Sequence, residues 1–288
     1  MKAFSSPRAI LLIVAGTAIS RSITGYSLSD PGPGFGVSGY VVNASANAGG
    51  LGISQVNSTP GSQVSVSASI GPFLGASADA GGLVLNAMAL TGISGGAGEA
   101  GSGAGSKILY QISGTPSNST SSFSLTFDAR GTIVAIPTAT GDDIAAFDFG
   151  TSVIVGTDLE TVQSNGIANI SGSPGSLVAT QNTGFKVTQE QSPMNLYGIF
   201  GTFTVNVEAK QFLIVDPTIS LEVAVSGAEG KGTLNFSLAS ITASNSAGGT
   251  PELTPQIQTT PEPSSWGILT CGLGLLGFVV RRSKQKGD

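Results

Sequence analysis

Histidine is absent from the 288 residues, and cysteine occurs once, as Cys271. Those two gaps exclude a good deal of chemistry: there is no Ser-His-Asp or Cys-His relay, no histidine-ligated zinc, no CxxC redox pair and no disulfide within the chain. Charge is scarce as well. Asp, Glu, Lys and Arg make up 10% of the residues, against about a quarter in an average soluble protein. Between Tyr26 and Thr260, five cations (Lys107, Arg130, Lys186, Lys210, Lys231) face fifteen carboxylates, a net charge of minus ten. A nucleic-acid partner is excluded on that balance, because a phosphate backbone needs a clustered basic face. Tryptophan is confined to Trp266, which weakens a sugar-stacking platform, although Tyr40, Tyr110 and Tyr197 remain available for one.

What the chain has in quantity is glycine, 42 residues, together with a hydrophobic share of 40%. Apolar residues alternate with polar ones at Phe123, Leu125 and Phe127, at Phe203, Val205 and Val207, from Ile219 to Val225, and at Leu234, Phe236 and Leu238, the period of half-buried strands. Val64 to Ile70, Leu83 to Leu90 and Lys107 to Ser113 read as earlier strands. Turn formers at 171–175 and at Gly230-Lys231-Gly232 are expected to separate them. No stretch has a capped 3.6-residue pattern. The expected fold is therefore mainly β, an antiparallel β-sandwich or jelly roll over residues 26–246, in which two sheets bury their apolar faces against each other.

Residues 92–106, GISGGAGEAGSGAGS, hold seven glycines and a single charge, Glu99. A run that cannot pack side chains and is costly to order reads as a surface loop. It lacks the GxxxxGK[ST] order of a phosphate-binding loop, and Lys107 opens a strand-like run instead of a helix.

Asp142, Asp143 and Asp148, with Asp158 and Glu160 beyond them, are the one concentration of acids. Carboxylates on loops between strands are good calcium ligands, so calcium at Asp142, Asp143 and Asp148 is an alternative to the favoured reading, a solvated acidic loop. No EF-hand spacing and no GGxGxD repeat is present. Glycan hydrolysis would need two of these acids facing each other across a cleft. No catalytic residue and no cofactor is assigned.

Both ends carry targeting features. Lys2 and Arg8 precede an apolar stretch from Ala9 to about Ile19 that ends among small residues, the order of a secretory signal peptide over residues 1–20, with cleavage after Ala18 or Ser20. At the other end, Ala247 to Thr260 is dotted with proline and threonine and reads as a linker. Pro261-Glu262-Pro263 follows, then an apolar stretch over about residues 264–280, then Arg281, Arg282, Lys284 and Lys286.

Seventeen helical residues span about 26 Å, slightly less than the roughly 30 Å hydrocarbon core, so the stretch is a marginal transmembrane helix. Four cations beyond it favour the cytoplasmic side, which leaves the two prolines and the body outside. Pro261 and Pro263 hold Glu262 in extended backbone, the form proteases read.

Residues 261–288 resemble the PEP-CTERM sorting signal of bacterial proteins handled by exosortase, a membrane-embedded cysteine protease. The resemblance implies that Pro261, Glu262 and Pro263 are the recognition element and that the nucleophile belongs to the other protein. It also implies transient membrane anchoring and a destination in the cell envelope or extracellular matrix, with exopolysaccharide as a candidate partner. The expected role is non-enzymatic, with a carbohydrate- or calcium-binding module as the alternative.

Overall fold

The computed structural model describes residues 39–72, 74–92, 97–137, 144–181, 185–190 and 196–256. The expected signal peptide and the C-terminal signal, including Pro261 to Pro263 and the basic cluster, lie outside the described residues. Everything regular within them is antiparallel strand, with no helix.

The strands in chain order are β1 (Tyr40–Ala48), β2 (Leu51–Asn57), β3 (Gln63–Ile70), β4 (Leu74–Gly81), β5 (Val84–Thr91), β6 (Ala97–Ser113), β7 (Ser121–Pro137) and β8 (Ile144–Thr157). They continue as β9 (Thr161–Gly172), β10 (Val178–Gln181), β11 (Phe185–Glu190), β12 (Leu196–Ala209), β13 (Phe212–Ser226), β14 (Ala228–Asn245) and β15 (Glu252–Pro255). One sheet runs β10-β9-β8-β13-β6-β1-β2, with β15 also paired to β6; the other runs β11-β12-β7-β14-β5-β4-β3.

Alternation decides which face is inside. Along β13 the residues Ile219, Leu221, Val223 and Val225 are buried, and along β12 Phe203, Val205 and Val207, as their period required. The inner faces of both sheets contribute to one core. That core has two textures. Around β7, β12 and β14 it is aromatic: Phe127 stacks on Phe236 at 5.4 Å, Phe203 lies 6.1 Å from Phe236, and Phe185 meets Phe203 edge-on at 5.8 Å. Around β1, β4 and β5 it is alanine, with Ala46, Ala78 and Ala89 buried. Packing by single methyl groups demands closer backbones than packing by phenyl rings, so each half tolerates different errors.

Three expectations need correction. Within the expected glycine-rich loop 92–106, residues 97–106 are the first part of β6, paired to β13 on one side and β1 on the other. The run satisfies its backbone with ladder hydrogen bonds, and it alternates after all: Ala100, Ser102, Ala104 and Ser106 are buried on the inner face, while Gly101, Gly103 and Gly105 lie on the other face, where Ser45 and Asn43 of β1 cover Gly103 and Gly105. The alternation is hidden because both sets are small. Asn43 lies across Gly105, its amide oxygen 3.0 Å from where a Cβ would stand, so the bare backbone is covered by the neighbouring strand's side chain.

Gly230-Lys231-Gly232 is not a turn but lies inside β14, paired to β5 and β7. Both glycines point inward. A Cβ on Gly230 would meet Val225 at 2.8 Å and Val223 at 3.2 Å, so the missing side chains let β14 approach the opposite sheet. Finally, the expected linker 247–260 is ordered through Gln256, because Glu252–Pro255 form β15 on the flank of β6.

The two core textures predict opposite sensitivities. Ala78→Leu, which overfills the alanine half, should cost about 1–3 kcal/mol. Phe236→Ala, which empties the aromatic half, should cost about 3–5 kcal/mol. Urea unfolding of the two variants measures both; a negligible cost for Ala78→Leu would contradict the close packing of that half.

Candidate functional site

Two places in the body concern function: the point from which its ends depart, and the acidic outer face of the first sheet. The departure point is built by one residue. The Leu109 amide donates to the Gly39 carbonyl at 2.7 Å, and the Leu109 carbonyl accepts from the Gln256 amide at 2.8 Å. The first and last described residues thus share a single residue of β6. The Gln256 side-chain amide adds a bond to Gln111 Oε1 at 2.7 Å.

Glycine is required here sterically, since a Cβ on Gly39 would collide with the Gln256 carbonyl. Just before β15, Asn245 Nδ2 donates to Ser119 Oγ and Ser121 Oγ at 2.8 and 2.9 Å, and Asn245 Oδ1 accepts from the Ala247 amide at 2.8 Å. These bonds anchor the β14–β15 turn to the start of β7. From Gln256 to Pro261 the chain has five residues, a reach of at most about 18 Å.

The acidic face is assembled by register. Asp148 on β8 sits directly opposite Glu222 on β13, and Glu222 sits opposite Gly101 on β6. Glu99, two residues before Gly101, projects from the same face and hydrogen-bonds Glu222. Burial is the largest influence on Glu222, followed by the negative charges of Glu99 and Asp148; together they push its carboxyl up to about 7. Burial also raises Asp148. Further along the same face Asp216 is raised by burial, an effect opposed by Lys107 at 3.7 Å.

Of the sequence cluster, the described members Asp148, Asp158 and Glu160 take different structural places. Asp142 and Asp143 lie outside the described residues. Asp148 stands in the middle of a strand, not on a loop. Asp158 is a structural cap whose carboxylate accepts the Lys210 amide at 2.8 and 3.0 Å and the Gln211 amide at 3.1 Å, tying the β8–β9 turn to the β12–β13 turn. Glu160 lines an open cleft of about 420 Å³ with Glu208, Asn206, Phe123 and Val207. Among the described residues no group of three or more acidic or cysteine side chains is gathered tightly enough to hold a metal ion.

Glu99 and Glu222 were not marked by the sequence. Glu222 occupies a polar position in the alternating run 219–225, which shows that it faces outward, but its neighbours depend on the pairing of β13 with β8 and β6, strands distant from it in sequence.

A carboxyl group raised in the native state sets the sign of a pH effect. Below the ordinary glutamate value of 4.5 both states of the protein hold the Glu222 proton. As pH rises from there to about 7, the unfolded chain ionises while the native one retains the proton, so native stability falls and then levels off. Melting temperature is expected to be higher near pH 4.5 than above 7 on this account, and Glu222→Gln to flatten that slope. An unchanged slope in the variant would remove Glu222 as its source.

Comparison with known families adds the C-terminal region. The model of the PEP-CTERM protein-sorting motif matches residues 259–283. No curated protein matches the chain. The matched segment contains Pro261, Glu262 and Pro263, the apolar stretch, and Arg281 and Arg282. Residues 259–283 therefore carry a PEP-CTERM protein-sorting motif, the signal that implies export and processing at the membrane by exosortase.

Proposed function

We propose that this is a non-enzymatic protein of the bacterial envelope or extracellular matrix, exported behind its N-terminal signal peptide. A helix over about 264–280 holds it at the membrane, and exosortase releases or transfers it at Pro261-Glu262-Pro263. The body is read as a β-sandwich that remains outside.

The observation that carries this reading is the sorting motif at 259–283. Several features of the body support it. The chain lacks histidine, and the described carboxylates that meet, Glu99, Asp148 and Glu222, do so on the outward face of a sheet. An acidic surface made mostly of Ser, Thr and Asn stays hydrated and weakly self-adhesive among polysaccharides, which suits a matrix component. The described body reaches Gln256, five residues before Pro261, so the motif lies within a short reach of a folded load.

The test compares the native protein with a variant in which Pro261, Glu262 and Pro263 are alanine. Membrane fractionation and C-terminal mass spectrometry should show the wild type shortened near residue 261 and displaced from the inner membrane, and the variant intact and retained there. The same C-terminus and the same destination for both would overturn the proposal.

A further inference from the structure

A terminal strand presents a row of unpaired N–H and C=O groups, and proteins that must stay single blunt it by shortness, charge, proline or a bulge. Among the described residues five strands are paired on one side only: β2 and β10 end the first sheet, β3 and β11 the second, and the four-residue β15, with Glu252 and Pro255, lies on the flank of β6. β10 is four residues long. β11 carries Lys186 and Glu190. β3 exposes mainly serine and glutamine, with Ile70 at its end.

β2 has none of the protecting devices. Its seven residues, LGISQVN, contain no charge and no proline, and its register against β1 runs without a bulge. Leu51, Ile53 and Val56 are 48%, 43% and 64% exposed. No charged residue occurs anywhere between Asp30 and Asp79. In a body with a net charge of minus ten between Tyr26 and Thr260, copies repel one another across most of the surface, and this side is where a second copy approaches at least electrostatic cost.

We propose that β2 is a self-association edge, pairing antiparallel with β2 of a second copy about a two-fold axis at Ser54. In that isologous register Leu51 lies beside Asn57 of the second copy, Ile53 beside Gln55, and Gly52 beside Val56. The last pair is self-complementary. Val56 is the most exposed apolar residue of the strand, and a Cβ at Gly52 would find nothing within 4 Å. Each valine fills the space left by the other copy's glycine, and each backbone gains a hydrogen-bonded neighbour. The first sheets of the two copies become one continuous sheet.

The experiment uses the full chain in detergent with Cys271 replaced by alanine. Ser54→Cys places two thiols on the axis, within disulfide reach for directly opposed antiparallel residues. Val178→Cys, on the exposed opposite edge, is the control.

Mild oxidation should yield at least about tenfold more disulfide dimer from the Ser54 variant than from the control, as an unprotected edge requires. Adding Val56→Lys, or independently Ile53→Lys, should bring the yield down to the control level without altering thermal unfolding, since both side chains are exposed. Equal yields at the two edges, a Ser54 yield that survives both lysines, or linkage only to a different protein would overturn the proposal. Alanines at Pro261 to Pro263 should leave the dimer unaffected, which separates this result from the sorting reading.

Discussion

The ladder around β6 is the constraint on which the rest of the body depends. One side of this 17-residue strand is occupied by β13; the other is shared, first by β1 opposite residues 100–108 and then by β15 opposite residues 110–113. Because two separate strands finish the same flank, the chain must enter and leave the fold at the junction between them, where Leu109 bonds both Gly39 and Gln256. The same ladder brings Glu99 beside Glu222, and it carries the β1–β2 hairpin that forms one edge of the sheet. Strands that lie far apart in sequence are therefore fixed by a single backbone, and that backbone is made of glycine, serine and alanine for half its length.

That composition explains why β6 was the hardest element to read. Where side chains are large, as in β7, β12 and β13, burial imposes a visible two-residue period, and phenylalanine, leucine and valine announced it correctly. In residues 100–106 the inner and outer sets differ by no more than a methyl or a hydroxymethyl group, so the period exists without being visible in hydropathy. Gly230 and Gly232 misled in the same way. Glycine marks a turn when the backbone needs positive φ, as at Gly49 and Gly50 between β1 and β2 with φ of 54° and 92°. It marks close approach when a facing layer occupies the side chain's volume, and only the facing layer distinguishes the two cases. The sorting signal was legible for the opposite reason, because its identity lies in a local order of residues, Pro261-Glu262-Pro263, an apolar stretch and a basic cluster, that no strand pairing has to reveal.

Polar groups on the outer faces follow a consistent economy. Beside the ion pairs Lys107–Asp216 and Arg130–Asp128, the sheets use hydroxyl pairs across strands, such as Thr132 with Thr233 at 2.7 Å and Thr126 with Thr204 at 3.3 Å. Such pairs are short-ranged and insensitive to salt, whereas surface ion pairs contribute little and are screened. An exported body built this way keeps much the same surface whatever the ionic strength outside the cell. The price is local: where carboxylates do meet with no opposing cation in the same row, as at Glu222, one of them is driven towards its neutral form.

Ordering of the chain as far as Gln256 couples the fold to the signal that follows it. With β15 in place, Pro261 can lie no further than about 18 Å from Gln256, so a body tens of ångströms across is held close to whatever surface the following segment enters. Were β15 to detach, the ten residues from Ala247 to Gln256 would join the tether and add about 35 Å of reach. The ladder bonds at residues 109–113 and the Asn245 cluster oppose that release. The four-residue pairing of β15 on β6 thus sets the greatest distance at which the matched motif can lie from the body.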